Sequence, residues 1–242
     1  MSHETFVGSC DMLIRVKGSN DPFVPVATVS KLDFEHEEET KELRANKGLA
    51  KVGEIKRLTG VKVKITAHSF KADDLVRVLR GTKASIVAGT ATDEPITVAK
   101  GGLIRLAHLN PSAVVVKDDL AAIVPATEYE VRPAGIYFPA DSTLTNGDEI
   151  TVSYSYPAQE TVEALVNSGI EYEMVADGLN EADSGKPFVV DVWRLTLGIL
   201  SNLPLMGDDF AEYEIEGAVL ADLTKAVGKS QYYRTSAVVA AA

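Results

Sequence analysis

The residues that could ligate a metal or act as nucleophiles are few and scattered. The four histidines, His3, His36, His68 and His108, lie far apart, and none has a second His or a Cys at metal-ligand spacing. Cys10 is the only cysteine, so no intrachain disulfide can form. A lone cysteine is more often a small buried apolar side chain than a nucleophile. These residues predict neither a zinc site nor a catalytic thiol.

Two other patterns resemble known functional sites but do not meet their sequence requirements. Gly185 and Lys186 superficially match the end of a phosphate-binding loop, but Pro187 stands where that loop requires Ser or Thr. The acidic cluster at residues 35–39 could supply paired carboxylates for hydrolysis or oxygen ligands for calcium. It lacks the alternating Asp/Asn and Gly of a calcium loop, and a charge run is usually a solvated face. The sequence therefore predicts a protein that is not an enzyme and has no cofactor.

The charge balance excludes another class of function. The formal net charge is −11, with 24 Lys and Arg against 35 Asp and Glu. Such a surface repels phosphate backbones, so tight nucleic-acid binding is not expected. An acidic wall could let DNA slide past without sticking, and it could equally serve only to keep an abundant protein soluble. No basic-plus-apolar leader opens the chain, and no apolar run approaches the roughly 20 residues of a membrane helix. We therefore expect a protein that is made in the cytoplasm and has no membrane partner.

Alternation of apolar and polar residues dominates the chain and predicts a mainly β protein. In the alternating segment of residues 32–37, Asp33, Glu35 and Glu37 share one strand face. The segments are residues 61–67, 32–37, 150–156, 193–197 and 212–216.

One or two helices are expected beside these strands. Residues 70–81 carry an apolar stripe, with Ser69 as N-cap and Asp73 and Asp74 in the first turn. A second, weaker helical pattern covers residues 158–166, and residues 218–227 fit either helix or loop.

Residues 38–54 show neither period and are predicted to be a long charged loop between two strands. A loop of this length is usually functional or disordered, so it either waits for a neighbouring subunit or is a mobile tip without a partner. Residues 178–187 read as an exposed connector. Short strands separated by prolines fill residues 93–157, which predicts an antiparallel β-rich module inserted into a core domain formed by residues 1–92 and 158–242.

The order of these signals resembles that of phage tail tube proteins. The resemblance is carried by an aromatic-centred strand at residues 127–131, a glycine turn and short strand at 134–138, and a glycine-led strand with alternating tyrosines at 147–156. The N-terminal half is similar too, with an opening strand, a long strand, a charged loop, a second long strand and a helix. The resemblance covers most of the chain.

This resemblance implies the major tail tube protein of a long-tailed, siphovirus-like bacteriophage. The implied fold is a β-sandwich or barrel-like tail tube fold flanked by a helix, with the inserted β module on the outside. Six subunits would form a ring, and rings would stack into a hollow tube through which DNA passes during ejection. The implied partners are further copies of the chain and the tape measure, terminator and distal tail proteins, and the implied location is the virion tail. DNA would pass without specific binding.

Two sets of residues follow as candidates. Asp33, Glu35 and Glu37 are the candidates for an acidic stripe facing the lumen, although an ordinary solvent face fits them equally well. The charged loop would be the arm that touches the next ring or the neighbouring subunit. Its candidate contact residues are Glu39, Lys41, Leu43, Arg44, Lys47, Leu49 and Lys51.

Three alternatives stay open at the level of sequence. The first is a tail terminator or tube-initiator protein, which would form a single ring and stop. The second is a β-sandwich module that binds carbohydrate or a host receptor, although such modules need aromatic side chains along a groove and aromatic residues make up only 7% of the chain. The third is an enzyme, against which the missing catalytic constellation counts. The apolar residues 236–242 fit either a disordered end or a contact between rings.

Overall fold

The protein is mainly β, as the alternating segments predict, and the described residues contain one α-helix. The computed structural model describes residues 8–44, 51–68, 71–183 and 185–238. None of the helical segments in these ranges is long and apolar enough to cross a membrane. The strands and the helix are β1 (Gly8–Val16), β2 (Val24–Pro25), β3 (Val29–Arg44), β4 (Lys51–Ala67), α1 (Ala72–Val78), β5 (Thr82–Ile86), β6 (Gly89–Thr97), β7 (Gly102–Arg105), β8 (Ser112–Lys117), β9 (Glu130–Arg132), β10 (Gly135–Phe138), β11 (Glu149–Tyr156), β12 (Gln159–Glu163), β13 (Glu171–Asn180), β14 (Lys186–Leu197), β15 (Tyr213–Val219) and β16 (Tyr233–Ala237).

The chain forms two compact units. The core unit comprises Met1–Thr82 and Val162–Ala242, and the inserted unit comprises Lys83–Thr161. The inserted unit extends beyond the predicted module of residues 93–157 at both ends. The chain leaves the core unit through β5 and returns through β12, and these two strands pair with each other.

The core unit is built on one curved antiparallel sheet. Its strand order is β2-β1-β13-β14-β15-β4-β3, and β16 pairs with the first half of β14. Alternate residues of each strand form one apolar core, in which Ile14, Met174, Leu195, Val63 and Ile215 are each nearly inaccessible to solvent. The opposite face of the same strands is polar. The period of two is therefore visible in the sequence because one face of this sheet is buried.

Residues from β1 and from β3, near opposite ends of the strand order, line one cleft, which requires the sheet to curve. Leu13 and Ile14 of β1 pair with Pro25 and Val24 of β2, and the chain then passes directly into β3. The first part of β3 thus returns alongside the start of β1 without pairing with it. An apolar cleft with a volume of about 740 Å³ is lined by the start of β1, the first part of β3 and residues of β13, β14 and β16.

Helix α1 packs on the core through Val78, and Leu75 and Leu79 lie beside it. It is shorter than the predicted helix, because Arg80 adopts φ +49° and ends it. The N-cap position is Lys71, which makes no side-chain cap hydrogen bond. The predicted cap, Ser69, lies outside the described residues.

The weaker helix prediction at residues 158–166 is wrong. Residues Gln159–Glu163 form β12, which pairs with β5, whereas a polar helix of this length is marginally stable in water. The segment at residues 218–227, which fits either helix or loop in the sequence, contains the end of β15 at Val219 and then turns, with no helix. The connector at residues 178–187 is shorter than predicted, because β13 continues to Asn180 and β14 begins at Lys186.

The inserted unit is a small sandwich of two three-stranded antiparallel sheets, β7-β10-β9 and β6-β11-β8. Its core combines Ile136 and Phe138 from the first sheet with Ile150, Val152 and Tyr154 from the second. Each of these side chains is nearly inaccessible to solvent. The tyrosine alternation at residues 154–156 therefore marks a core strand.

The turn after β15 carries an acid-sensitive contact. Hydrogen bonds from the Thr224 hydroxyl and backbone N–H, followed by the nearby Lys17 ammonium, lower the pKa of Asp222 from 3.8 to about 2. A carboxyl whose pKa is lowered by folding contributes stability above its ordinary pKa, and this contribution is lost as the pH falls through about 2. We expect Asp222→Asn to lower the urea midpoint at pH 6 and to differ less from the wild type at pH 2. The exposed Asp119→Asn is the control, and an equal loss at both pH values would contradict the prediction.

Candidate functional site

The three predicted stripe carboxylates lie on the polar face of β3, and each has a lysine partner. Lys64 Nζ lies 3.0 Å from Glu35, and Lys62 Nζ lies 2.7 Å from Glu37. Asp33 is paired with Lys31 of its own strand at 2.7 Å. Lys31 lies on β3 itself, but Lys62 and Lys64 come from β4, so the sequence pattern of β3 does not reveal the partners of Glu35 and Glu37.

The ion pairs fix the charges on this part of the face. Hydrogen bonds to Asp33, Glu37 and Glu35, respectively, raise the pKa of Lys31, Lys62 and Lys64, so these ammonium groups stay charged at neutral pH. Glu214 and Glu216 of β15 are exposed on the same face, and Glu216 lies directly opposite Lys64 in the β4–β15 register. Five carboxylates thus meet three lysines, and this part of the sheet keeps a negative excess.

Further ion pairs between neighbouring strands lie across the rest of the sheet. Arg15 of β1 forms an ion pair with Glu173 of β13 at 2.6 Å. Arg194 of β14 donates two hydrogen bonds to Glu171, at 3.0 and 2.6 Å, and this contact lowers the pKa of Glu171. We call this surface, from β1 to β3, the charged face. It lies opposite the apolar core, and its ion pairs are interspersed with apolar residues such as Leu13 and Val175.

The charged segment predicted as a loop is a two-stranded hairpin. β3 extends to Arg44 and β4 starts at Lys51, and the two strands pair from Glu38 and Leu58 outward to those residues. This correction has a physical cause: both faces of the extension are exposed, so no alternation marks it as a strand. At about 3.3 Å per residue, the extension is about 20 Å long. We call residues 38–44 and 51–58 the distal hairpin.

The distal hairpin is incompletely covered. β15 pairs only with the inner half of β4, Val61 to Ala67, so within the described strands the distal hairpin has no neighbour on either edge. An isolated two-stranded hairpin is marginally stable in water, and free edges invite pairing with another chain. It exposes four large apolar side chains, Leu43, Val52, Ile55 and Leu58.

The predicted contact residues fall on this hairpin where the structure describes them. Ion pairs join Glu39 to Lys41 and Glu42 to both Arg44 and Lys51. They are solvent-exposed and contribute little to stability. Lys47 and Leu49, the other two predicted contacts, lie outside the described residues.

A polar cluster that the sequence did not indicate lies in the inserted unit. The Tyr154 hydroxyl donates to Glu94 at 2.5 Å and lies 3.0 Å from His108 Nδ1. Because the single phenolic proton goes to the carboxylate, Nδ1–H of His108 must be the other donor. Burial, followed by the Glu94 carboxylate, raises the pKa of Tyr154. The phenol is only 2% exposed and Tyr156 stacks on the imidazole at 3.6 Å, so the cluster ties strands together.

The described residues contain no group of three His, Cys, Asp or Glu side chains arranged to hold a metal ion. His36 is engaged with the Tyr233 hydroxyl at 2.8 Å, and His108 with Tyr154. Polar side chains here are thus used for pairing across strands.

Fold and surface together define a mainly β protein in which a curved sheet with one charged face carries a projecting hairpin and an inserted sandwich. A family model described as "Protein of unknown function UCP028589" matches residues 5–236. The chain belongs to this family. No curated protein matches the chain.

Proposed function

We propose that the chain is a structural subunit that assembles into stacked rings, as the major tail tube protein of a long-tailed bacteriophage does. The observation that carries this proposal is the distal hairpin. It is about 20 Å long by the strand rise, it has free edges, and it exposes Leu43, Val52, Ile55 and Leu58. A neighbouring subunit would cover these groups, which explains why they are present on a ribbon that contributes nothing to the core.

The charged face supports the second half of the proposal. In a ring of such subunits, the polar side of the curved sheet would line the channel, since the opposite side is the core. Its negative excess would repel DNA phosphates, while the paired lysines would limit the field. The stripe of Asp33, Glu35 and Glu37 would therefore keep DNA from binding to the channel surface, although paired lysines neutralise part of its charge.

The proposal places the protein in the virion tail, with further copies of itself as its main partners. The tape measure, terminator and distal tail proteins would meet it inside and at the two ends of the tube. No catalytic step is part of this function.

Electron microscopy of the concentrated protein, alongside its mass in solution, tests the proposal. We expect hollow rings or tubes with a central channel. The distal hairpin would contact a neighbouring subunit, and the charged face, which is a different part of the subunit, would line the channel. A single ring that never stacks would favour a terminator or tube initiator. A chain that stays monomeric at every concentration, or closed dimers without a channel, would contradict the proposal.

A further inference from the structure

The segment that follows β12 packs around one arginine. Residues 165–170 lie against the end of helix α1, where the Arg80 carbonyl accepts a hydrogen bond from the backbone N–H of Asn167 at 2.9 Å. The Asn167 side chain donates to the Gly81 carbonyl at 2.7 Å. The backbone of Gly169 lies against the guanidinium, since an added Cβ there would be 3.2 Å from Arg80 Cζ. The position of the Arg80 side chain is therefore fixed by this segment.

The backbone of Arg80 is also unusual. Leu79 is the C-cap of α1, and Arg80, the next residue, has φ +49° in the left-handed region. Glycine is the ordinary residue at this position, because a side chain there strains the backbone. An arginine held in a strained conformation favours a role for its side chain.

The guanidinium of Arg80 lacks a carboxylate partner. Its Nη2 donates to the Leu197 carbonyl at 3.1 Å. Its Nε is buried and has no hydrogen-bond partner within the described ranges, and no ion pair joins Arg80 to a described Asp or Glu. Buried polar atoms are almost always hydrogen-bonded, and buried charges are usually paired. A ligand of Arg80 is therefore expected to accept a hydrogen bond and to carry negative charge.

A small cavity lies beside this guanidinium. Arg77 lines it together with Arg80, and the Arg77 charge is shared with Asp74 through an ion pair of 3.0 Å. None of the described residues that line the cavity is Asp or Glu. The rest of the lining is polar at the rim and apolar elsewhere: Val76, Gly81, Asn167, Ser168, Ile170, Tyr172 and Leu197.

The size of the cavity limits the ligand. Its volume is about 30 Å³. One water molecule needs about 10–15 Å³, and sites for organic ligands begin at about 300 Å³. A cavity between these limits holds a few small atoms and no organic molecule. Water would accept the hydrogen bond from Arg80 Nε but would leave the guanidinium charge unpaired, whereas a small anion does both.

We infer that this cavity binds one small monovalent anion of chloride size, held by Arg80 with Arg77 as the second positive charge. The anion would stabilise the attachment of residues 165–170 to the end of α1. The site lies within the core unit and does not depend on the proposed self-assembly.

The thermal midpoint of the core unit tests this inference. Trp193 is the only tryptophan and lies on β14, so its fluorescence follows the unfolding of the core unit. We expect a higher midpoint in sodium chloride than in sodium gluconate at equal ionic strength. The difference should be about 3–6 °C when chloride is at about ten times its dissociation constant. Chloride nuclear magnetic resonance should show extra line broadening in the presence of the wild type.

Three variants make the salt effect specific. Arg80→Gln should lose both the midpoint difference and the extra broadening. Arg105→Gln, at an exposed arginine of the inserted unit, should keep both. Arg80→Lys retains the charge but lacks Nε–H and should lose most of the effect, which keeps the test decisive if Arg80→Gln fails to fold. Equal wild-type midpoints in the two salts, or an undiminished difference in the Arg80 variants, would overturn the anion site.

Discussion

Removing the distal hairpin is expected to produce a folded chain that no longer assembles. Glu39 and Arg57 are Cα partners in the β3–β4 ladder, so residues 40–56 can be replaced by an Asn-Gly turn that closes the shortened hairpin. No described residue in the removed stretch is buried, and none belongs to the core cluster. We expect a β-type circular dichroism spectrum with less strand signal and an unchanged thermal midpoint, together with complete loss of rings and tubes by microscopy and sedimentation.

Point substitutions test whether the exposed apolar side chains of the distal hairpin, and not only its length, are needed for assembly. Leu43→Ser with Ile55→Ser keeps the hairpin length and removes two exposed apolar side chains, and it should raise the concentration needed for assembly by at least about tenfold. Thr40→Ser with Lys56→Ser is the matched control on the same two strands, and it should assemble like the wild type. Normal tubes from the shortened chain would show that the hairpin is not an assembly element.

Replacing Gly135 by alanine is expected to disrupt the inserted unit. Gly135 has φ +153° and lies opposite Arg105 in the β7–β10 ladder. A Cβ there would collide with the carbonyl oxygen of Ile104 and would lie 2.9 Å from the Leu106 nitrogen. These are backbone atoms between paired strands, so neither can move aside without breaking the ladder. We expect a loss of about 3 kcal/mol or more in unfolding free energy, measured by urea titration.

Gly147→Ala separates collision from backbone strain. Gly147 also has positive φ, at +96°, but a Cβ there meets nothing within 4 Å. The expected loss is about 1 kcal/mol, from strain alone. Hydrogen exchange should show faster exchange in β7, β9 and β10 of Gly135→Ala, and equal effects of the two substitutions would contradict the proposed collision.

The core strands were predictable because burial of one face imposes a period of two. Residues 61–67 and 212–216 alternate without interruption, and the structure pairs them side by side in the sheet. The distal hairpin is not predictable in this way, because a strand that is exposed on both faces has no preferred alternation of apolar and polar residues. Short polar segments are equally uninformative, which is why the sequence favours a weak helix at residues 158–166 although Gln159–Glu163 form a strand.

The candidate site was predictable only in part. The period of β3 predicts that Asp33, Glu35 and Glu37 share one face, which the structure bears out, but the lysine partners of Glu35 and Glu37 depend on the strand register. Register is set by tertiary pairing and cannot be read from one strand. The cluster of Glu94, His108 and Tyr154 is similarly non-local, because its members belong to separate segments of the inserted unit.

The pairing of β5 with β12 has a practical consequence for protein engineering. The chain leaves the core unit and re-enters it through two adjacent strands, so the entry and exit points of the insertion are neighbours. Insertions are tolerated where the two connecting ends lie close together. We therefore expect the inserted sandwich to be replaceable by another domain. A foreign domain with closely spaced termini could be grafted at the same two strands, and a polymer of such fusions would present a regular array of cargo at a spacing set by the subunit repeat.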